Sequence, residues 1–369
     1  PGPQAGDQAI GALGYLGRAT YLPALQEKLR IVIDVSWIID GVHGGSLFLA
    51  GVIRHSAILR RKAKSRNSSP MTRIVCVGSM NMDMAAYSTT LPRPGETVFG
   101  TSLVSSPGGK GLNQAVAARR LGATVAFVGN LGRDDAGDAV AAFLADEGID
   151  MRRIERLGGV QTGAAIILVD ATSQNAIVVI PGANMSWGEA APGPLKLQAG
   201  DIVVSQFEIP DAVIIAAFTQ ARAAGARTIF NAAPARAMPP QLLALVDILV
   251  VNEVELAATS GQPIDATDVT ALTDAAATLS QGARAVIATL GANGAVVAVN
   301  GRPTRIAGRP VPAHDTAGAG DCFIGALAAS LARGETLEAA ATFANRAASL
   351  SVTRKGTAVA MPFAHDLDA

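Results

Sequence analysis

The residues best equipped for chemistry stand in one run, His314-Asp315-Thr316-Ala317-Gly318-Ala319-Gly320-Asp321-Cys322-Phe323. Two carboxylates flank small residues, and apolar Phe323, Ile324, Leu327 and Leu331 come after them at helical spacing. The pattern predicts a glycine-rich turn feeding a helix. The N–H groups of Gly318, Ala319 and Gly320 then lack intrahelical partners and point outward. Free donors and the helix dipole together attract phosphate. A carboxylate such as Asp321 is awkward beside an anion unless it has a proton to take. The combination points to phosphoryl transfer, with backbone amides stabilising charge and Asp321 as base. A plain glycine-rich helix cap, with Asp321 as a dipole-favoured acid, accounts for the same residues taken alone.

Further candidates are spread along the chain. Pro107-Gly108-Gly109-Lys110-Gly111-Leu112-Asn113-Gln114 precedes an alanine-rich helical pattern. Its paired glycines let a ligand approach the backbone, and Lys110 and Asn113 offer donors at a helix start. It is not a P-loop, because no Ser or Thr comes after Lys110 and the leading glycine is missing. Gly78-Ser79-Met80-Asn81-Met82-Asp83 comes after the first strand pattern, placing Asn81 and Asp83 where open α/β sheets bind ligands; an Asx turn is the plainer reading. Glu208 ends another strand pattern. Asn252 and Glu255 share one face of a helix start, suited either to ordering water around Mg²⁺ or to a capping box. Thr289-Leu290-Gly291-Ala292-Asn293-Gly294 closes a strand with a glycine turn, Asn345 sits on the last helical pattern, and Thr353-Arg354-Lys355-Gly356-Thr357 forms a loop whose carbonyls suit a cation.

What must position these residues is a regular alternation that begins at Met71. Strands are predicted at Ile74–Val77, Val125–Val128, Ile202–Val204, Thr228–Phe230, Ile248–Val251 and Ala285–Thr289. Helices are predicted to begin near Asn113, Asp134, Asp211, Pro240, Glu253, Ala266, Ala319 and Leu337. This is an α/β fold, a mostly parallel sheet flanked by helices on both faces. Two segments break the rhythm, near 82–106 and 162–181, the second a β-hairpin pattern around Ala171-Thr172-Ser173-Gln174-Asn175. They predict a small sheet of a few antiparallel strands, a lid standing off the main sheet. Such a sheet exposes an apolar face, and self-pairing into a homodimer is a natural way to bury it.

Residues 1–70 look foreign to the rest of the chain: irregular hydrophobicity, many glycines and a basic run, Arg60 to Arg66, ending in Asn67-Ser68-Ser69-Pro70. That ending is a linker signature. A mis-set reading frame, a processed leader and an appended helical module remain open for it, and 71–369 is read as the catalytic unit. With formal net charge zero, neither nucleic acid nor an anionic membrane is favoured as a partner. Two distant cysteines, Cys76 and Cys322, fit a reducing cytoplasm. Only four histidines make a His-based metal site an unfavourable reading. Ile31 to Ile53 is the best candidate for a membrane span, but it contains Asp34, Asp40 and His43, and its longest stretch without Asp, Glu, Lys or Arg, Gly41 to Ile53, is short of the ~20 residues that span a bilayer. The start has no basic region before an apolar stretch, so a typical secretory signal is not expected.

Met71 to about Phe363 resembles the PfkB carbohydrate kinase family. The resembling motifs are Gly78 to Asp83, Gly108 to Ala115, Asn231-Ala232-Ala233-Pro234-Ala235, Asn252-Glu253-Val254-Glu255, Asp315 to Asp321 and Val352-Thr353-Arg354-Lys355-Gly356. The Gly-Gly-Lys-Gly-x-Asn-Gln and Thr-Arg-Lys-Gly stretches are similar to the ribokinase branch. The resemblance implies a ribokinase-like fold and ATP-dependent phosphorylation of D-ribose on its 5-hydroxyl, with Asp321 as base and the Ala317–Gly320 amides stabilising the transferring group. It implies sugar binding by Asn81, Asp83, Gly108, Gly109, Lys110, Asn113 and Glu208. ATP is expected at Asn252, Thr289, Gly291, Gly294, Gly320 and Asn345. Mg²⁺ is expected through water at Asn252 and Glu255, and activating K⁺ at Asp315, Ala317, Ser351, Arg354 and Gly356. The position that often carries a last Ser ligand reads as Ala360. Alternatives are a relative acting on fructose, deoxyribose, a sugar acid or a nucleoside, a non-catalytic sugar- or nucleotide-binding regulator, and a partner- or DNA-binding role for the basic run. Asp83, Gly109, Lys110 and Asn113 favour a small polyhydroxy sugar, and retention of Asp321 favours catalysis.

Overall fold

The Val- and Ile-rich runs become the centre of one large sheet. The structure, a computed structural model, describes residues 72–367 apart from Ser173, Ala266, Gly282 and Ala283. The expected extension, 1–70, and its boundary at Met71 lie outside the described residues. In chain order the first elements are β1 (Arg73–Val77), β2 (Asn81–Ser88), β3 (Gly100–Gly108), α1 (Lys110–Arg120), β4 (Thr124–Gly132), α2 (Asp135–Asp146), β5 (Asp150–Leu157), β6 (Gly163–Val169) and β7 (Asn175–Ile180). They are succeeded by β8 (Ile202–Gln206), α3 (Asp211–Ala224), β9 (Arg227–Asn231), α4 (Pro240–Leu243), β10 (Ile248–Val251), α5 (Glu253–Ser260), α6 (Val269–Leu279), β11 (Ala285–Thr289), β12 (Gly294–Val299), β13 (Arg302–Ala307), α7 (Ala319–Ala332) and α8 (Leu337–Ser351).

The large sheet has nine strands in the order β13-β12-β11-β10-β9-β8-β1-β4-β5. It is parallel from β11 to β5, and β12 and β13 add an antiparallel edge. Alternate side chains of β1 enter two different cores. Ile74 and Cys76 pack with α1 and α7, while Val75 and Val77 pack with α3 on the other face. Burial on both faces is what an unbroken apolar strand requires. Three strands escaped the sequence reading as separate elements. β5 carries Asp150, Arg152, Arg153, Glu155 and Arg156, and β13 buries only Ile306. Both are edge strands, where charge and half-exposure erase the apolar signal. β12 is apolar but merges into the glycine turn after Thr289.

The expected lid is present as a second, four-stranded sheet in the order β3-β2-β6-β7. It is not wholly antiparallel as expected. β2–β3 and β6–β7 are antiparallel hairpins, but β2 and β6 pair in parallel. The reason is topological: β1 and β5 both leave the parallel sheet at its carboxyl end, so the next strands of each set out in the same direction. β7 is exposed at every residue, and Leu103 and Val178 are 67% and 62% exposed.

Two helix starts need correction. α1 begins at Lys110, ahead of Asn113, because Gly109 takes φ +91°, open to glycine, and turns the chain early. α6 begins at Val269, where the Asp268 carboxylate accepts from the Thr270 and Ala271 amides; the expected start at Ala266 lies outside the described residues. Among the described residues, no helix is long and apolar enough to cross a membrane.

Candidate active site

The geometry is set by the close approach of α7 to α1. A Cβ on Gly325 would stand 2.5 Å from both the Ala117 Cβ and the Gln114 carbonyl oxygen, so only glycine permits this spacing. One helical turn earlier on the same face sits Asp321. It is buried, and each of its oxygens is gripped from α1: Asn113 Nδ2 donates to Oδ2 at 3.0 Å, and Gln114 Nε2 to Oδ1 at 2.9 Å. The turn before α7 is held by Gly318 at φ +75°. Gly318, Ala319 and Gly320 line a cleft with Asp321, Lys110, Asn252, Glu255 and Thr289. A Cβ on Gly320 would meet nothing within 4 Å, so the α7 terminus opens directly onto the cleft. The arrangement is that of an anion seat with a carboxylate beside it.

The lid contributes directly. Asn81 and Asp83 are not in a strand-exit loop but on β2 itself, paired with Gly108 and Ser106 of β3. Gly108 is glycine because a Cβ there would fall 1.9 Å from Asp83 Oδ2. Asp83 is buried, and its Oδ1 has no hydrogen-bond partner; nor has Asn113 Oδ1. Two buried acceptors without donors are what a polyhydroxy ligand would satisfy. Asn81 Oδ1 accepts from Asn184 Nδ2 at 2.7 Å, and Asn184 also brackets the Met80 backbone. Glu208 Oε2 accepts from the Lys110 amide at 3.1 Å and from Ser79 Oγ, whose oxygen accepts from the Gly111 amide at 3.2 Å. Glu208 therefore ties the start of α1 to the end of β1.

Four carboxylates surround one ammonium. Asp83 is pushed up to about 7, first by burial and then by Glu208 and Asp321, with Lys110 opposing. Burial alone would push the Lys110 ammonium down, but Asp321, Glu208, Glu255 and Asp83 together hold it above its ordinary range. Burial also raises Glu255, against the Asn252 amide and Lys110. This concentration of negative charge around one cation suits a site that receives a neutral sugar and a metal-bound polyphosphate.

Asn252 and Glu255 form a capping box: Asn252 Oδ1 accepts from the Glu255 amide at 2.8 Å, and Glu255 Oε2 from the Asn252 amide at 2.9 Å. Asn252 Nδ2 reaches Glu255 Oε1 at 3.1 Å. With both carboxylate oxygens engaged, the pair suits holding a hydrated divalent ion better than direct ligation. Asp315 brackets the loop after α8, its Oδ1 accepting from the Ala317 amide at 3.0 Å and its Oδ2 from the Gly356 amide at 2.9 Å. Ser351 is buried at the end of α8, Arg354 pairs with Asp366 at 3.1 Å, and Ala360 lies in a buried turn.

Of the expected ATP positions, Asn252, Thr289 and Gly320 line this cleft; Gly291 and Gly294 stand at the β11–β12 turn and Asn345 on α8. Gly291 and Gly294 shape the β11–β12 turn, where a Cβ on Gly294 would strike the Ile306 carbonyl at 2.1 Å. Asn345 Nδ2 donates to the Ala307 carbonyl at 2.9 Å, securing the end of β13. Sequence reasoning gave no role to Ser79, Gln114, Asn184, Gln206 or Asn231. Their common signal is a neutral polar side chain inside an otherwise apolar stretch, which stays buried only when paired.

A family model described as pfkB family carbohydrate kinase matches residues 71–364. The ribokinase of Haemophilus influenzae is 35% identical over 291 residues, covering 78% of this chain and 95% of that protein. The ribokinase of Staphylococcus aureus is 36% identical over 301 residues, covering 80% and 98%. The structure of Arabidopsis thaliana ribokinase complexed with ribose and ATP superposes with a TM-score of 0.73 at 32% identity, covering 80% of this chain and 97% of that one.

Proposed function

The chain belongs to the pfkB family of carbohydrate kinases, and we propose that it transfers the γ-phosphoryl group of ATP to the 5-hydroxyl of D-ribose, giving D-ribose 5-phosphate. The observation that carries this reading is Asp321: a buried carboxylate in the first turn of α7, fixed on both oxygens, in the cleft that Gly318, Ala319 and Gly320 line.

Asp321 takes the proton of the attacking hydroxyl. The Gly318 and Gly320 amides and the α7 dipole stabilise charge on the transferring group; the Ala319 amide donates to the Thr316 carbonyl at 3.3 Å and the Ala317 amide to Asp315 at 3.0 Å, so those two hold the turn. Lys110 lines the same cleft as the carboxylates and the α7 turn and supplies its positive charge. Asp83 Oδ1 and Asn113 Oδ1 accept sugar hydroxyls, and Gly108 and Gly109 let the sugar approach the backbone. Glu208 keeps Lys110 and α1 in register. Asn252 and Glu255 would hold Mg²⁺ through water, where it neutralises phosphate charge. Asp315, with the carbonyls of Ala317, Ser351, Arg354 and Gly356, would hold K⁺ beside the α7 turn. The lid excludes water that would otherwise consume ATP.

We assign the exposed lid face to a homodimer, and the protein to the cytoplasm. Light scattering that finds only fully active monomer at micromolar concentration removes the dimer. The substrate reading is tested by ADP release across pentoses, hexoses and nucleosides, with and without K⁺. D-ribose should give the highest kcat/KM; a higher value for deoxyribose, fructose or a nucleoside would reassign the substrate.

A further inference from the structure

Resting on Asp321 as the proton acceptor, we propose that Gln114 is the positioning residue that holds this carboxylate in line. Gln114 is 2% exposed and belongs to α1, not to the helix that carries Asp321. Its amide is oriented from both ends, by a donor at its oxygen and by the carboxylate at its nitrogen, although Gln206 Oε1 has no partner itself. Gln206 Nε2 donates to Gln114 Oε1 at 2.7 Å, which forces Gln114 Nε2 toward Asp321 Oδ1 at 2.9 Å. The same nitrogen reaches Asn231 Oδ1 at 3.3 Å. Asn231 Nδ2 in turn faces the Val250 carbonyl at 3.3 Å and Glu255 Oε2 at 3.4 Å. A buried carboxamide chain thus runs from β8 through α1 to the carboxylate, with a branch through β9 to the start of α5.

The physical consequence is specific. Asn113 alone would leave Asp321 free to swing about one hydrogen bond; the second donor fixes the plane of the carboxylate.

The test uses Gln114→Met, Gln114→Glu, Asp321→Asn and the Gln114→Met/Asp321→Asn double variant, in the full-length protein at saturating ribose and MgATP. A 1 Å misplacement can cost on the order of 10²-fold in rate, so Gln114→Met should lower kcat by about 10–10²-fold, with ribose KM changed little. In Gln114→Glu the amide that Gln206 reaches becomes a carboxyl that still accepts, while a second carboxyl replaces the donor to Asp321, so kcat should fall likewise with ribose KM changed little. In the Asp321→Asn background Gln114→Met should cost almost nothing more. Circular dichroism and melting establish which variants are folded; if Gln114→Met is not, Gln114→Glu carries the kcat readout. Unchanged kcat in a folded Gln114 variant, with Asp321→Asn inactive, overturns the role of Gln114 alone. Full additivity in the double variant overturns it too. An active Asp321→Asn instead removes the base assignment beneath it.

Discussion

Replacing Asp83 by Asn should raise the ribose KM by roughly 10- to 150-fold while leaving kcat nearly intact. The magnitude comes from the site. Asp83 is buried with an unpartnered Oδ1, so a sugar hydroxyl donating to it forms a charge-assisted bond, worth about 1.5–3 kcal/mol. The pH dependence is sharper evidence than the size. Asp83 is pushed up to about 7 by burial, then by Glu208 and Asp321. An unfolded Asp loses its proton near pH 4. Between about pH 4 and about pH 7 the folded protein therefore binds more protons at this group than the unfolded chain, and stability from it falls as pH rises through that window. Ribose that donates to the charged form reverses the balance. The wild-type ribose KM should rise as pH drops below about 7, approaching tenfold per unit, and Asp83→Asn should flatten that dependence. Steady-state kinetics at saturating MgATP from about pH 5.5 to about pH 8.5 measures both. A flat wild-type KM over that range, or an Asp83→Asn defect confined to kcat, would refute the assignment.

Three further outcomes are expected. Gly325→Ala should cost about 1–3 kcal/mol by overpacking α1 against α7, read as a lower Tm, and should lower kcat by displacing Asp321; an unchanged Tm would mean the helices separate freely. Asp315→Ala should abolish stimulation by K⁺ while leaving a basal rate, because it removes the group that brackets the 315–317 and 356 segments; persistent K⁺ stimulation would place the cation elsewhere. A protein beginning at Met71 should keep its turnover, and an insoluble or inactive product would make residues 1–70 part of the catalytic fold.

The parallel strands were legible because residues buried on two faces must be apolar along their whole length, as in Ile74-Val75-Cys76-Val77. The edge strands β5 and β13 were not, since solvent on one side lets Arg152, Arg156 or Arg305 stand where a core strand needs Val. The lid was legible as two interruptions, but its parallel β2–β6 contact is a tertiary outcome that no local pattern encodes. At the site, Asp321, Lys110 and the Gly318–Gly320 turn announced themselves by chemistry at a helix start. Gln114 and Gln206 did not, because a carboxamide has the same appearance on a surface as in a buried chain; only the partner on another helix or strand gives it meaning. Asn252 and Glu255 show two readings holding together, a capping box that also faces the cleft. Asn345 adds a bond that only the folded chain shows, its nitrogen donating to the β13 backbone.

Asp321→Asn tests the account most directly. Asn keeps the size of the side chain and its place in the first turn of α7 but cannot accept the proton. A general base contributes about 10²–10⁴-fold, so turnover should fall by at least that factor while ribose and ATP affinities, measured separately by calorimetry, change little. Near-normal turnover, or a defect that lies wholly in ribose affinity, would contradict the central claim and leave Asp321 as a helix-terminal acid.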